Sequence, residues 1–105
     1  LERTLLYKRA ANKLQLEEED YKALHIILKK YPYKFYVYGS RSRGSSSKYS
    51  DIGIFCKENI EQDDLVDIRT QLEESDIIIK VDITDKNSCN QEFIKNIEKD
   101  LIELK

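Results

Sequence analysis

A chain of 105 residues, 40% hydrophobic and 36% charged, can bury one small core and is too short for two. Its 18 basic and 20 acidic residues leave a net charge of −2, so no global field draws nucleic acid, which is not expected as a partner. No apolar run approaches the ~20 residues of a membrane span, and no membrane association is expected. No signal-peptide pattern opens the chain. The two cysteines, Cys56 and Cys89, lack metal-type spacing. A cytoplasmic protein with free thiols is the expectation. The chain starts at Leu1 and holds no Met, so the natural start is expected to be missing or trimmed.

Residues 1–16 carry a weak apolar pattern and are expected to form an N-terminal arm of unspecified order, which could also dock on a partner. The domain proper is expected over 17–105. From Glu17, "EEEDYKALHIILKKY" places Tyr21, Leu24, Ile27, Leu28 and Tyr31 at helical spacing. Acidic residues open this helix, Lys29 and Lys30 close it, and Pro32 stops it. "YKFYVY" predicts a strand that ends at Gly39. Residues 39–50 are rich in Ser, Arg and Lys and predict a loop. "DIGIFC" predicts a second strand. "NIEQDDLVDIRTQLEES" predicts a helix capped at Asn59, with Leu65, Ile68 and Leu72 on its buried face. "DIIIKVDIT" is almost continuously apolar and predicts a strand in the centre of the sheet. A last helix is expected from about Ser88, with Phe93, Ile94 and Ile97 facing the core. "LIEL" (101–104) reads equally as helix or short edge strand. These elements make one α/β domain, a small mixed sheet packed with helices on one or both faces.

The chemistry concentrates in "FYVYGSRSRGSSSKYSDIGIF", residues 35–55. Triphosphates are held by backbone N–H groups and a hydroxyl at a tight turn where glycine allows close approach. Gly39 and Ser40 supply such a turn directly after a strand. Divalent metals need hard carboxylate oxygens on rigid elements. Asp51 opens one strand, and Asp82 lies inside another, "KVDIT". Neighbouring strands would set these two side by side, where one cation could bridge them.

This pattern of Gly-Ser, ten residues between Ser40 and Asp51, and a later Asp in an apolar strand resembles the minimal nucleotidyltransferase (MNT) domain of the DNA polymerase β superfamily. The resemblance spans about residues 17–104. It implies a polymerase-β-like nucleotidyltransferase core. It implies that Gly39 and Ser40 hold the triphosphate of ATP, with Arg41 and Arg43 matching the arginines usual in this motif. It implies that Asp51 binds two metals, and that Asp82 binds the catalytic Mg²⁺ and helps deprotonate the acceptor hydroxyl. The position of a second shared metal ligand falls on Gly53, so a weakened Mg²⁺ site is expected. Asp85 has the wrong strand parity to replace it, and Glu58 lies past the strand end. Complete members of the minimal family are commonly antitoxins that transfer AMP from ATP to a tyrosine of a HEPN ribonuclease toxin. The resemblance therefore implies an MNT-type antitoxin with a HEPN-type toxin as partner, either an adenylyltransferase or a pseudoenzyme that neutralises its partner by binding alone.

Structural readings stand beside these. One of the two arginines could form an internal salt bridge instead of touching phosphate. Ser45–Ser47 and Lys48 read as a solvated loop, and His25 as a boundary residue on a helix. The tyrosines at 21, 31, 36 and 38 read as packing residues, and the cysteines as small apolar ones.

Overall fold

The computed structural model describes residues 2–44, 46 and 50–104, with side-chain surroundings from Leu6 onward. The readings for Ser45, Ser47 and Lys48 lie outside the described residues. In chain order the elements are α1 (Glu2–Lys13), α2 (Glu18–Leu28), β1 (Phe35–Tyr38), α3 (Ser40–Arg43), β2 (Ile52–Cys56), α4 (Gln62–Glu74), β3 (Val81–Asp85), α5 (Gln91–Glu98) and β4 (Ile102–Glu103). A single 3₁₀ turn, Lys86–Ser88, joins β3 to the segment before α5. Among the described residues no helix is long and apolar enough to cross a membrane.

The four strands form one sheet in the order β3-β2-β1-β4. β1 runs antiparallel to β2 and β4, while β2 and β3 are parallel. The sheet is therefore mixed, as expected. The two-residue alternation of a strand then sorts the side chains. Phe35, Val37, Ile52, Ile54 and Ile83 point to one face and are fully or almost fully buried. They join Leu24 and Leu28 of α2 and Leu65 and Ile68 of α4 in one core. Each such side chain contributes about 1.5–3 kcal/mol relative to exposure. The other face carries Tyr36, Tyr38, Gly53, Phe55, Asp82 and Thr84. Helix α5 covers part of it, with the Phe93 ring edge-on to Tyr38 at 5.5 Å between centroids.

The N-terminal segment is ordered by this core. Helix α1 packs on α2, and Ala11, Leu14 and Leu16 are buried with the core residues. Its pattern looks weak in sequence because only a few positions of the helix and the turn after it face inward.

Four local expectations are corrected. The loop over 39–50 begins with the short helix α3. β3 lies at the edge of the sheet, not its centre. Its apolar approach misleads because Ile77 and Ile79 pack against the core before the strand begins, while Ile78 points outward at 85% exposure. Helix α4 starts after Glu61 with no side-chain cap, so Asn59 does not cap it. Helix α5 starts at Gln91, three residues past Ser88, capped by Asn90, whose side-chain oxygen accepts from Phe93 N at 2.8 Å. Of its expected core residues Ile97 is buried, and Phe93 and Ile94 are half-buried. The ambiguous "LIEL" resolves as the edge strand β4, whose Ile102 pairs with Val37.

Candidate functional site

The turn after β1 requires its glycine. Gly39 has φ 86° and ψ −153°, a region open to glycine alone. From there its carbonyl accepts from Ser42 N and Arg43 N, both at 3.1 Å, and from Ser42 Oγ at 2.9 Å. These bonds wind α3, with Ser40 as its first residue. Gly44, at φ 76°, ends it in the left-handed region.

The two arginines of this helix part company. Arg41 is 1% exposed. Its Nε and Nη2 donate to the Ser50 carbonyl at 3.1 and 2.8 Å, and its Nη1 donates to the carbonyl of Gln15. Arg41 is thus the internal one of the two arginines, bonded to backbone carbonyls. The guanidinium clamps two backbone carbonyls, tying the α1–α2 turn to the entry of β2. Burial lowers its pKa from the ordinary arginine value, and the nearby Asp20 and Asp51 carboxylates act against that shift. The turn it holds is unusual in itself, because Gln15 adopts a positive φ of 56°. The Gln15 side chain in turn accepts from Ser46 N at 3.1 Å and from the Ser46 hydroxyl. Arg43, by contrast, is about half exposed and reaches Asp100 at 3.6 Å.

The carboxylates sit on one face but not side by side. In the β2–β3 register Asp82 stands opposite Gly53, and Ile52 stands opposite Val81. Asp51 precedes β2, two residues from Gly53 and so on the same face. Two strand steps along and one strand across place the Asp51 and Asp82 backbones roughly 8 Å apart. Asp82 is half exposed and lies 3.7 Å from Lys80 Nζ. It is the edge position of β3 that spares it from burial, so the desolvation cost of an Asp in a central strand does not arise.

The decisive feature is at Gly53. A Cβ there would fall 2.6 Å from Cζ of Tyr38 and within 2.9 Å of both Cε atoms. Tyr38 is the antiparallel register partner of Gly53, and its ring fills the space over the missing side chain. Burial raises the Tyr38 phenol above its ordinary pKa, and the Asp82 carboxylate adds to the shift. Sequence reasoning passed over Tyr38 as one packing tyrosine among several. The available signal was its place immediately before Gly39, but linking it to Gly53 requires the strand register.

The residues therefore do not fit a two-ion Mg²⁺ centre. Two carboxylates lie diagonally apart, and the third position holds an aromatic ring. Among the described residues no group of three His, Cys, Asp or Glu side chains could hold a metal ion. Asp85, excluded by parity, is on the core face and 3% exposed. Its carboxylate accepts from Ile60 N at 2.9 Å, and from Ser88 N at 3.1 Å and Ser88 Oγ at 2.8 Å. Glu58 accepts from Lys34 N at 3.1 Å. His25 stacks on Tyr21 at 6.1 Å between centroids and meets Tyr7 edge-on at 5.5 Å. Cys56 is buried and Cys89 half-buried, both as free thiols.

A groove of about 830 Å³ runs along the open edge of β3. Tyr38, Asp82 and Thr84 line it from the sheet, Leu72 from α4, and Cys89 and Phe93 from the other side. Gly39, Ser40, Arg43 and Asp51 are not among its lining residues, so the groove and the Gly-Ser turn are separate features. Arg69 of α4, which also lines the groove, donates to the Ile83 carbonyl at 3.2 Å. That contact blunts a sheet edge that would otherwise be open to pairing.

A family model described as polymerase beta, nucleotidyltransferase matches residues 22–105. No curated protein matches the chain.

Proposed function

The chain belongs to the polymerase beta nucleotidyltransferase family, and from that premise we propose that it is a catalytically silent member acting as an MNT-type antitoxin, which neutralises a HEPN-type ribonuclease toxin by contact. The observation that carries the reading is the Tyr38 ring seated where the second metal-binding carboxylate would project from residue 53. A two-ion centre clamps both the attacking and the leaving oxygen of a phosphoryl transfer. With Gly53 and Tyr38 in place, the carboxylates left to serve it are Asp51 and Asp82.

The second reading is AMP transfer from ATP to a tyrosine of the partner. The tyrosine oxygen would bond the α-phosphorus, the bond to the β-phosphate oxygen would break, and pyrophosphate would leave. It is favoured by Asp51 and Asp82 sharing one sheet face beside the Gly39–Ser40 turn. The Arg43 side chain, half exposed at 54%, could meet a phosphate there.

The test uses ATP labelled on the α-phosphate, Mg²⁺ and a HEPN-type toxin. The expected result is toxin bound and its ribonuclease activity suppressed, with no label transferred. Label on the toxin would establish the second reading. Neither binding nor label transfer would overturn both.

A further inference from the structure

A second groove, of about 530 Å³, lies between α2 and the C-terminal end of α4. Ala23, Ile26, Ile27 and Ile77 give it an apolar floor. Ile26 is 49% exposed there. Glu19 and Asp20 stand on one side and Glu74 and Asp76 on the other. No Lys or Arg is among its described lining residues, and Lys30 is present at its border, donating to the lining Gln71 Oε1 at 2.8 Å. Single exposed apolar side chains are ordinary. Here Ile26 adjoins the apolar floor and is rimmed by charge of one sign in a chain whose overall balance is only −2. The Asp20 carboxyl is held above its usual range by burial, then by the neighbouring Glu17 and Glu19, with Arg41 opposing. Like charges are thus crowded against an apolar surface, the condition that a cationic apolar partner relieves.

We propose that this groove docks a cationic amphipathic helix of a partner protein, its apolar stripe on Ile26, Ile27 and Ile77 and its Lys or Arg flanks against Glu19, Asp20, Glu74 and Asp76. Helix-in-groove recognition takes anchors spaced along one helix face, and opposite charge at the rim sets orientation and encounter rate. The proposal rests on the binding reading given above and names a surface for it.

The probe is a synthetic Leu/Lys amphipathic helical peptide titrated into the full ¹⁵N-labelled chain at physiological salt, with a Leu/Glu peptide of the same stripe as control. Expected are amide shifts centred on Ala23, Ile26, Gln71 and Ile77, and no binding by the control. Ile26→Asn, and separately Glu74→Gln with Asp76→Asn, should each weaken the Leu/Lys peptide by about tenfold, with the dispersion of the remaining spectrum unchanged. Absent binding, shifts spread evenly over acidic surface, indifference to Ile26→Asn, or equal binding of the control would each overturn the proposal. Concentration-dependent self-association through the same amides would overturn it in favour of a second copy. Toxin suppression that survives in these variants would overturn the groove as the toxin's docking site while leaving the binding reading standing. Label transfer to the toxin would sink that reading without touching the peptide result.

Discussion

The ring of Tyr38 and the backbone of Gly53 face each other across β1 and β2, so close that a Cβ on residue 53 would lie 2.6 Å from Tyr38 Cζ. The ring is also held from the side by Phe93 at 90°. An aromatic residue thus covers the gap that a strand glycine leaves, and the two residues form one packing unit. Restoring a carboxylate at residue 53 alone is therefore not a clean repair.

Gly53→Asp is expected to destabilise the fold by about 1–3 kcal/mol, the usual cost of overpacking. Tyr38→Ala combined with Gly53→Asp should recover part of that loss. Urea unfolding of the two single variants and the double variant gives the coupling directly. Strictly additive effects would show that the contact does not constrain residue 53.

Arg41 predicts a structural phenotype where the family motif suggests a ligand contact. Removing its side chain leaves the Ser50 and Gln15 carbonyls without their guanidinium donors. Arg41→Ala should cost roughly 2–4 kcal/mol, because unsatisfied buried groups retain their full desolvation penalty. Arg43→Ala should stay within about 0.5 kcal/mol, since its ion pair with Asp100 is surface-exposed. Thermal melts of the two variants provide the check.

Asp85 predicts the acid limb of the stability curve. Burial, the largest single influence, would raise its carboxyl, but the donors Ile60 N, Ser88 Oγ and Ser88 N together hold it below the usual carboxylate range. A carboxyl depressed in the folded state contributes stability that is present above its unfolded pKa of about 3.9 and is lost as pH falls through the folded value. Unfolding free energy measured from pH 7 to 2 should fall at the acid end, and Asp85→Asn should flatten that fall while lowering stability at pH 7 by about 1–3 kcal/mol.

Tyr31 predicts a late titration. Its hydroxyl donates to Asp67 and accepts from Gln71 Nε2 at 2.6 Å. Burial, followed by the Asp67 hydrogen bond and charge, pushes the phenol up to about 12. A raised pKa stabilises the fold fully below the unfolded value of about 10 and loses that contribution as pH rises through the folded one. Ultraviolet titration of the phenolates should show a step near 12 that Tyr31→Phe removes.

Much of the order of elements was legible in the residues themselves. Helical spacing of Tyr21, Leu24 and Leu28, the stop at Pro32 and the strand-favouring residues of "FYVY" are local patterns, and a local pattern is readable without a partner. The same holds for Gly39, whose glycine-only backbone region follows from the need to turn sharply out of a strand, and for the parity that put Asp85 on the core face. The glycine at residue 53 was also visible as a missing carboxylate. What packs against each of these positions was decided by the tertiary structure. Whether β3 lies in the centre or at the edge depends on the pairing of strands distant in the chain. Asp82 is exposed for that reason, and Asp51 stands diagonal to it because the register aligns Asp82 with Gly53. Arg41 looks identical to Arg43 in "SRSR", yet only the folding of the Gln15 turn over it makes one a buried clamp and leaves the other at the surface. Tyr38 meets Gly53 through a register between two strands separated by a loop. Residue identity therefore set the chemistry available at each position, while strand pairing and packing, both non-local, set which of those groups meet.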